Sequence, residues 1–215
     1  GRLWIGFRKH LYRLRENEQQ ATRYRDAEGR LDTFPYHITY LHHGQRSGYL
    51  WIGTIENGVY RLDLQQNRLT HFPDDPAKLS HKRILAIFED GQGHLWLATP
   101  AGLNRIDLVT GAYRWYTTED GLANNFVNGI LPEGDTALWI STDNGLSRLD
   151  LRENSFANFS KRDGLPANEF NRISFHQGSD GRLYFGGLNG IVAFQPGPQY
   201  VEQKAKRQGK LLFTS

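Results

Sequence analysis

The side chains with chemistry to offer are imidazoles, carboxylates and amides in turn-like stretches. His37, His42 and His43 form the densest imidazole group. Neighbours on an extended strand point to opposite faces, so His42 and His43 cannot chelate one ion together, and no metal site is expected. Asp74-Asp75 and Glu119-Asp120 are acidic doublets of the kind glycoside hydrolysis uses. They lie beside turn formers and read as solvated loop acids. No Gly-x-Ser-x-Gly, His-Glu-x-x-His, Walker or dinucleotide fingerprint occurs. There is no Cys, which removes thiol nucleophiles, disulfides and Cys-held metals. The chain therefore reads as non-enzymatic, with no catalytic residue and no cofactor.

Charge narrows the partners. Lys204, Lys206, Arg207 and Lys210 against Glu202 account for the whole net charge of +3, so the body is neutral with interspersed signs. A nucleic-acid partner is not expected, because a phosphate backbone calls for a basic face or stripe. Hydrophobic residues at 38% and charged residues at 23%, with 23 Gly, indicate a globular, turn-rich chain. Met is absent even at position 1, where the chain opens on Gly1-Arg2-Leu3-Trp4. That suits a segment or a processed product, so a signal peptide or membrane link would belong to a parent chain.

The elements that position these side chains recur. Leu3-Trp4-Ile5-Gly6, Leu50-Trp51-Ile52-Gly53-Thr54, Leu95-Trp96-Leu97-Ala98-Thr99, Leu138-Trp139-Ile140-Ser141-Thr142 and Leu183-Tyr184-Phe185-Gly186-Gly187 are five copies of one phrase, spaced 47, 45, 43 and 45 residues apart. A second phrase follows, as in Gly58-Val59-Tyr60-Arg61-Leu62-Asp63 and Gly145-Leu146-Ser147-Arg148-Leu149-Asp150. A third is aromatic, and a fourth precedes the next Trp. Four strand-length runs per period, punctuated by Gly, Asp and Asn, describe an antiparallel meander. A lone meander cannot bury two apolar faces, but radial stacking can, so the expected fold is all-β: a β-propeller of four-stranded blades. A β-sandwich is the second choice, and it would not call for constant spacing.

The spacing predicts a partial blade over 1–35, blades over 36–82, 83–125 and 126–171, and a partial last blade over 172–195. Such a layout is expected of an arc cut from a larger ring. Its terminal faces, near Trp4 and Tyr184, would be exposed and would favour association, including a homodimer. Trp4, Trp51, Trp96, Trp139 and Tyr184 hold one repeated position and are expected to be inter-blade core rather than sugar platforms. Arg61, Arg105 and Arg148 lie two residues before Asp63, Asp107 and Asp150, so ion pairs along each strand are expected. In such a propeller the loops from second to third strand, and from outer strand to the next inner strand, share one face. They carry Glu56, Asn57, Asp143, Asn144 and Asn189, and Asn124, Asn125, Asn128, Asn168, Glu169 and Asn171. Amides and carboxylates beside aromatics suit a saccharide. The same residues are also turn formers, which their recurrence in register favours.

The phrases Leu-Trp-Ile-Gly-Thr and Gly-Leu-x-Arg-Leu-Asp, with Asp120-Gly121-Leu122-Ala123-Asn124-Asn125 and Asp163-Gly164-Leu165-Pro166-Ala167-Asn168-Glu169-Phe170-Asn171, resemble the two-component regulator propeller repeats of bacterial sensor proteins. The resemblance covers residues 1–196. It implies a periplasmic ligand-sensing module of an inner-membrane receptor, followed by a transmembrane helix and a histidine kinase or diguanylate cyclase. It also implies that 196–215 is a linker leading into the first strand of an immunoglobulin-like domain. A propeller lyase or hydrolase, or a protein-interaction scaffold, is the alternative.

Overall fold

A computed structural model describes residues 2–29, 34–44, 47–72, 78–197 and 199–200. Five antiparallel sheets follow one another along the chain, and within each the strands pair in sequence order. The first holds β1 (Arg2–Phe7), β2 (His10–Arg15) and β3 (Thr22–Arg23). The second holds β4 (Ile38–His43), β5 (Tyr49–Thr54), β6 (Val59–Asp63) and β7 (Arg68–Phe72). The third holds β8 (Ala86–Glu89), β9 (His94–Thr99), β10 (Gly102–Asp107) and β11 (Tyr113–Tyr116). The fourth holds β12 (Val127–Glu133), β13 (Ala137–Thr142), β14 (Gly145–Asp150) and β15 (Ser155–Phe159), and the fifth β16 (Phe170–Gln177), β17 (Leu183–Gly187) and β18 (Gly190–Phe194). The leading strands β4, β8, β12 and β16 pack on one another in turn. Tyr40 on β4 stacks on Phe175 on β16 at 5.9 Å, so these strands gather around an axis. The architecture is a β-propeller, with three four-stranded blades between two three-stranded ones.

The turns explain why the repeated phrase folds this way. Thr54, Thr99 and Thr142 each donate Oγ1 to the carbonyl of Gly58, Gly102 or Gly145 at 2.8 Å. Each also accepts a loop N–H at 3.1 Å, from Asn57, Ala101 or Asn144. The threonine thus locks the turn that its glycine opens. Gly145 sits at φ 103°, and a Cβ there would run into the Phe159 carbonyl oxygen, whereas Gly111 at φ 71° has open space around it. Gly145→Ala is therefore expected to destabilise by about 1–3 kcal/mol and by more than Gly111→Ala. Equal shifts of the urea midpoint for the two variants would remove the clash from the account.

The repeated arginines and aspartates behave differently from the expected strand pairs. Asp63, Asp107 and Asp150 turn their Oδ1 back onto the N–H groups two and three residues on, at 2.8–3.0 Å, and cap the hairpin to the outer strand. Only Arg148 also reaches its aspartate, at 3.5 Å to Asp150. Arg61 and Arg105 instead lie over aromatic rings, Arg61 over Tyr49 and Phe72 and Arg105 over Trp96. A local turn bond wins because the aspartate ends its strand, where unpaired N–H groups are within reach.

Each junction between blades is a separate apolar core. Leu11, Leu50, Ile52 and Leu62 fill the first, and Trp51, Ile84, Ile87 and Leu97 the second. Trp96, Tyr116, Ile130 and Ile140 fill the third, and Trp139, Phe159, Phe185 and Phe194 the fourth. Trp51, Trp96 and Trp139 are fully buried, while Trp4 and Tyr184 are half-buried at the two ends. The end faces are open: Leu3 and Phe7 are 57% exposed and Ile191 63%. The indoles have a recurrent polar partner, a carboxylate at the end of a leading strand. Trp96 donates to Asp90 at 2.8 Å, Trp139 to Glu133 at 2.7 Å, and Trp51 to Glu89 of the next blade at 2.7 Å. Burial alone would raise the Asp90 carboxyl, but the bonds from Trp96 and from the His94 N–H and imidazole outweigh it and hold it below the usual range.

Candidate functional site

The loop face is built by two closely matched connections. Thr117 and Ser160 cap single 3-10 turns at 118–120 and 161–163 through reciprocal bonds with Asp120 and Asp163, and Gly121 and Gly164 close them in the left-handed region. Asn125 accepts the Thr118 N–H and Asn168 the Lys161 N–H, both at 2.8 Å. Asn124 accepts the Phe126 N–H at 2.8 Å, Asn144 accepts from the Asn168 amide at 3.1 Å, and Asn57 donates to the Tyr60 hydroxyl at 2.6 Å. Asn57, Asn124, Asn125, Asn144 and Asn168 are thus engaged in shaping their own loops. Asp120 belongs to a cap and Glu119 is exposed, so that doublet forms no facing acid pair. Asp74-Asp75 and the tail beyond Tyr200 lie outside the described residues.

Four other candidates converge. Asn128, Asp143, Glu169 and Asn171 line a cleft of about 460 Å³ between the fourth and fifth blades, together with Phe170, Arg172 and Leu188. Asn128 is fully buried. Its Nδ2 donates to Asp143 Oδ1 at 2.8 Å and, across the junction, to the Phe170 carbonyl at 2.9 Å, while its Oδ1 has no partner. Glu169 and Asn171 are exposed. Glu56 stands apart on the second blade, and Asn189 is exposed in the β17–β18 turn without lining the cleft.

Arg172 and Leu188 escaped sequence reasoning because a change of register brings them in. The β4 and β12 ladders each skip one residue, at Thr39 and Asn128. In β16 the ladder passes from Phe170 opposite Gly187 to Phe175 opposite Phe185, which bulges the strand further. The bulge holds Ile173 at φ 57°, a strained value for a β-branched residue, and turns Arg172 over the Phe126 ring at 5.1 Å. The cleft therefore offers carboxylates that accept from hydroxyls, an amide and a guanidinium that donate, and an apolar Leu188 at its rim.

At the opposite end of the leading strands lies a second cavity of about 440 Å³, lined by His42, His43, Phe88, Glu89, Asp135 and Gln177 among others. Burial pushes the His42 imidazole down to about 4, against the opposing pull of Glu89. Its Nε2 accepts the Glu89 N–H at 3.2 Å, so the neutral ring is the bonded form. Among the described residues no three His, Asp or Glu side chains are grouped to hold a metal. A depressed imidazole makes the unfolded chain bind the proton first as pH falls. The contribution is full above pH 6.5 and is lost between about 6.5 and 4, up to about 3 kcal/mol. His42→Gln should flatten the stability profile across that window in urea titrations at several pH values; an unchanged slope would show that His42 is not the group responsible.

Radially repeated antiparallel sheets, joined by inter-blade tryptophans and carrying a polar cleft at one end, define a β-propeller repeat protein. The family model described as Two component regulator propeller matches residues 78–101, which contain β8, β9 and the Trp96 phrase. No curated protein matches the chain significantly. Among solved structures it is similar to the extracellular domain assigned to a hybrid two component system, BT3049 from B. thetaiotaomicron, with TM-score 0.78 and 21% identity over 94% of this chain and 27% of that one. It is similar also to the extracellular domain assigned to a one component system, BT4673 of the same organism, with TM-score 0.74 and 21% identity over 91% and 28%. PorZ of Porphyromonas gingivalis, a surface component of the type-IX secretion system, aligns with TM-score 0.54 and 16% identity over 88% and 26%. At these identities the likeness is one of fold, and the chain spans just over a quarter of each of these structures. No helix among the described residues is long and apolar enough to cross a membrane.

Proposed function

We propose that this chain is a non-catalytic, ligand-reading propeller segment of a bacterial transmembrane signalling receptor, held on the periplasmic side, with a saccharide as its signal. The observation that carries the reading is the cleft that gathers Asn128, Asp143, Glu169 and Asn171 between two blades. The repeat family and the fold shared with extracellular domains of signalling systems support it. A sugar presents hydroxyls to donate to Asp143 and Glu169, lone pairs to accept from Asn171 and Arg172, and an apolar ring face for Leu188. Because Asn128 joins Asp143 to the next blade's Phe170 carbonyl, a ligand beside it touches both sides of a junction and can bias how the blades pack.

The test is calorimetric titration of the chain with a panel of oligosaccharides, repeated on a Glu169→Ala, Asn171→Ala double variant. Both residues are exposed, so stability should change by less than about 0.5 kcal/mol. Affinity for the active sugar should fall about tenfold or more. Undiminished binding by the double variant would move the site elsewhere, and a panel without any binder would remove the saccharide.

A further inference from the structure

The cleft between the fourth and fifth blades offers more acceptors than donors. Asp143 and Glu169 bring two carboxylates and Arg172 the one guanidinium among its lining residues, so two negative charges against one positive leave the lining at −1. Arg172 is moreover drawn over the Phe126 ring at 5.1 Å, which lies outside the acidic pair. Asn128 adds a third acceptor. Its side chain is fully buried, Nδ2 donates to Asp143 Oδ1 at 2.8 Å and to the Phe170 carbonyl at 2.9 Å, and Oδ1 has no partner. Turning the amide over would set Oδ1 against those two oxygens, so the group cannot exchange its ends. The junction itself does not call for an amide. At the matching skip in β4 the crossing bond is made by Thr39, whose hydroxyl donates to the Ile84 carbonyl at 2.6 Å and leaves no amide oxygen over. A buried acceptor without a donor is costly, and a donor brought by a bound molecule removes the cost.

We propose, taking this cleft as the saccharide site, that its sugar carries a free amino group. Protonated, the amine brings the positive charge that the lining lacks and three N–H donors, one each for Asp143, Glu169 and Asn128 Oδ1. A hydroxyl brings one donor and no charge. An N-acetyl group brings one donor and a carbonyl oxygen that meets the same carboxylates. The amine is therefore preferred over both, and the preference resides in the acidic pair and the orphaned amide oxygen rather than in the rest of the sugar.

The probes are three disaccharides of the same linkage and ring configuration that carry an amine, an acetamide or a hydroxyl beside the anomeric carbon: the chitosan disaccharide, diacetylchitobiose and cellobiose. Calorimetric titration of the full chain at about pH 6 keeps the amine protonated. The chitosan disaccharide should bind about tenfold or more tightly than either of the others. Glu169→Gln, which keeps the shape of an exposed side chain, should erase most of that preference. If the acetylated or hydroxyl form binds as tightly as the amine, or if Glu169→Gln leaves the preference unchanged, the amino group is wrong and the saccharide reading stands. Binding of none of the three, with another sugar of the panel bound, leads to the same conclusion; with no sugar bound, both fall.

Discussion

Glu133→Ala should destabilise the chain by about 3–5 kcal/mol, although it removes only a carboxylate from the end of β12. Glu133 accepts Arg148 Nη2 at 2.7 Å, Arg148 Nε at 2.9 Å and the Trp139 indole at 2.7 Å. The Arg148 side chain is 8% exposed and that of Glu133 11%. The bonds from Glu133 are the main reason the Arg148 guanidinium titrates above its ordinary value. Removing the carboxylate leaves a guanidinium with little access to water and only the longer 3.5 Å contact to Asp150. It also takes the acceptor from a buried indole. The loss reflects the stranded charge more than the net worth of the pair. A Glu133→Leu, Arg148→Met double variant should therefore recover most of the loss in urea unfolding. If the double variant is as unstable as Glu133→Ala, the damage comes from repacking of β12 rather than from the unpaired cation.

The propeller was legible because its information is redundant. Five tryptophan or tyrosine phrases at near-constant spacing, four of them followed by a glycine that opens a turn, specify the blade several times over. Asn57, Asn124, Asn125, Asn144 and Asn168 show where that reading stops. The amide that suits a sugar hydroxyl also suits a protein N–H or hydroxyl, and composition cannot separate the two uses; the side-chain hydrogen bonds of these five go to loop N–H groups, to the Tyr60 hydroxyl and, for Asn144 and Asn168, to each other. Asn128, Asp143, Glu169 and Asn171 sit in the same kinds of loop, yet they meet in one cleft because they flank a single junction. Arg172 and Leu188 could not be foreseen, since the bulge in β16 is longer than the one-residue skips at the matching places in β4 and β12, and the repeated phrases do not encode its length. Glu89 carries the same lesson. It serves Trp51 rather than the tryptophan of its own blade, a substitution that only the packing of neighbouring blades makes visible.

Trp96→Ala should cost about 3–5 kcal/mol, while Trp4→Ala should cost about 1 kcal/mol, although both residues hold the same place in the repeat. Trp96 is 1% exposed in the core between the third and fourth blades, stacks on Tyr116 at 5.8 Å and lies under the Arg105 guanidinium. Alanine there opens a cavity that two sheets would have to close together, and it removes the first of the bonds that hold down the Asp90 carboxyl. The gap between variant and parent should accordingly narrow as pH is lowered through the carboxylate range, because an Asp90 held down less strongly loses less on protonation. Trp96→Phe keeps most of the volume and loses only the N–H, so a loss of about 1–2 kcal/mol is expected. Trp4 is only half-buried at the edge of the junction between the first and second blades, against Tyr24 at 5.8 Å. Urea midpoints followed by far-UV circular dichroism compare the three variants. Equal losses for Trp4→Ala and Trp96→Ala would mean that each blade is stable on its own and that the indoles do not join one sheet to the next.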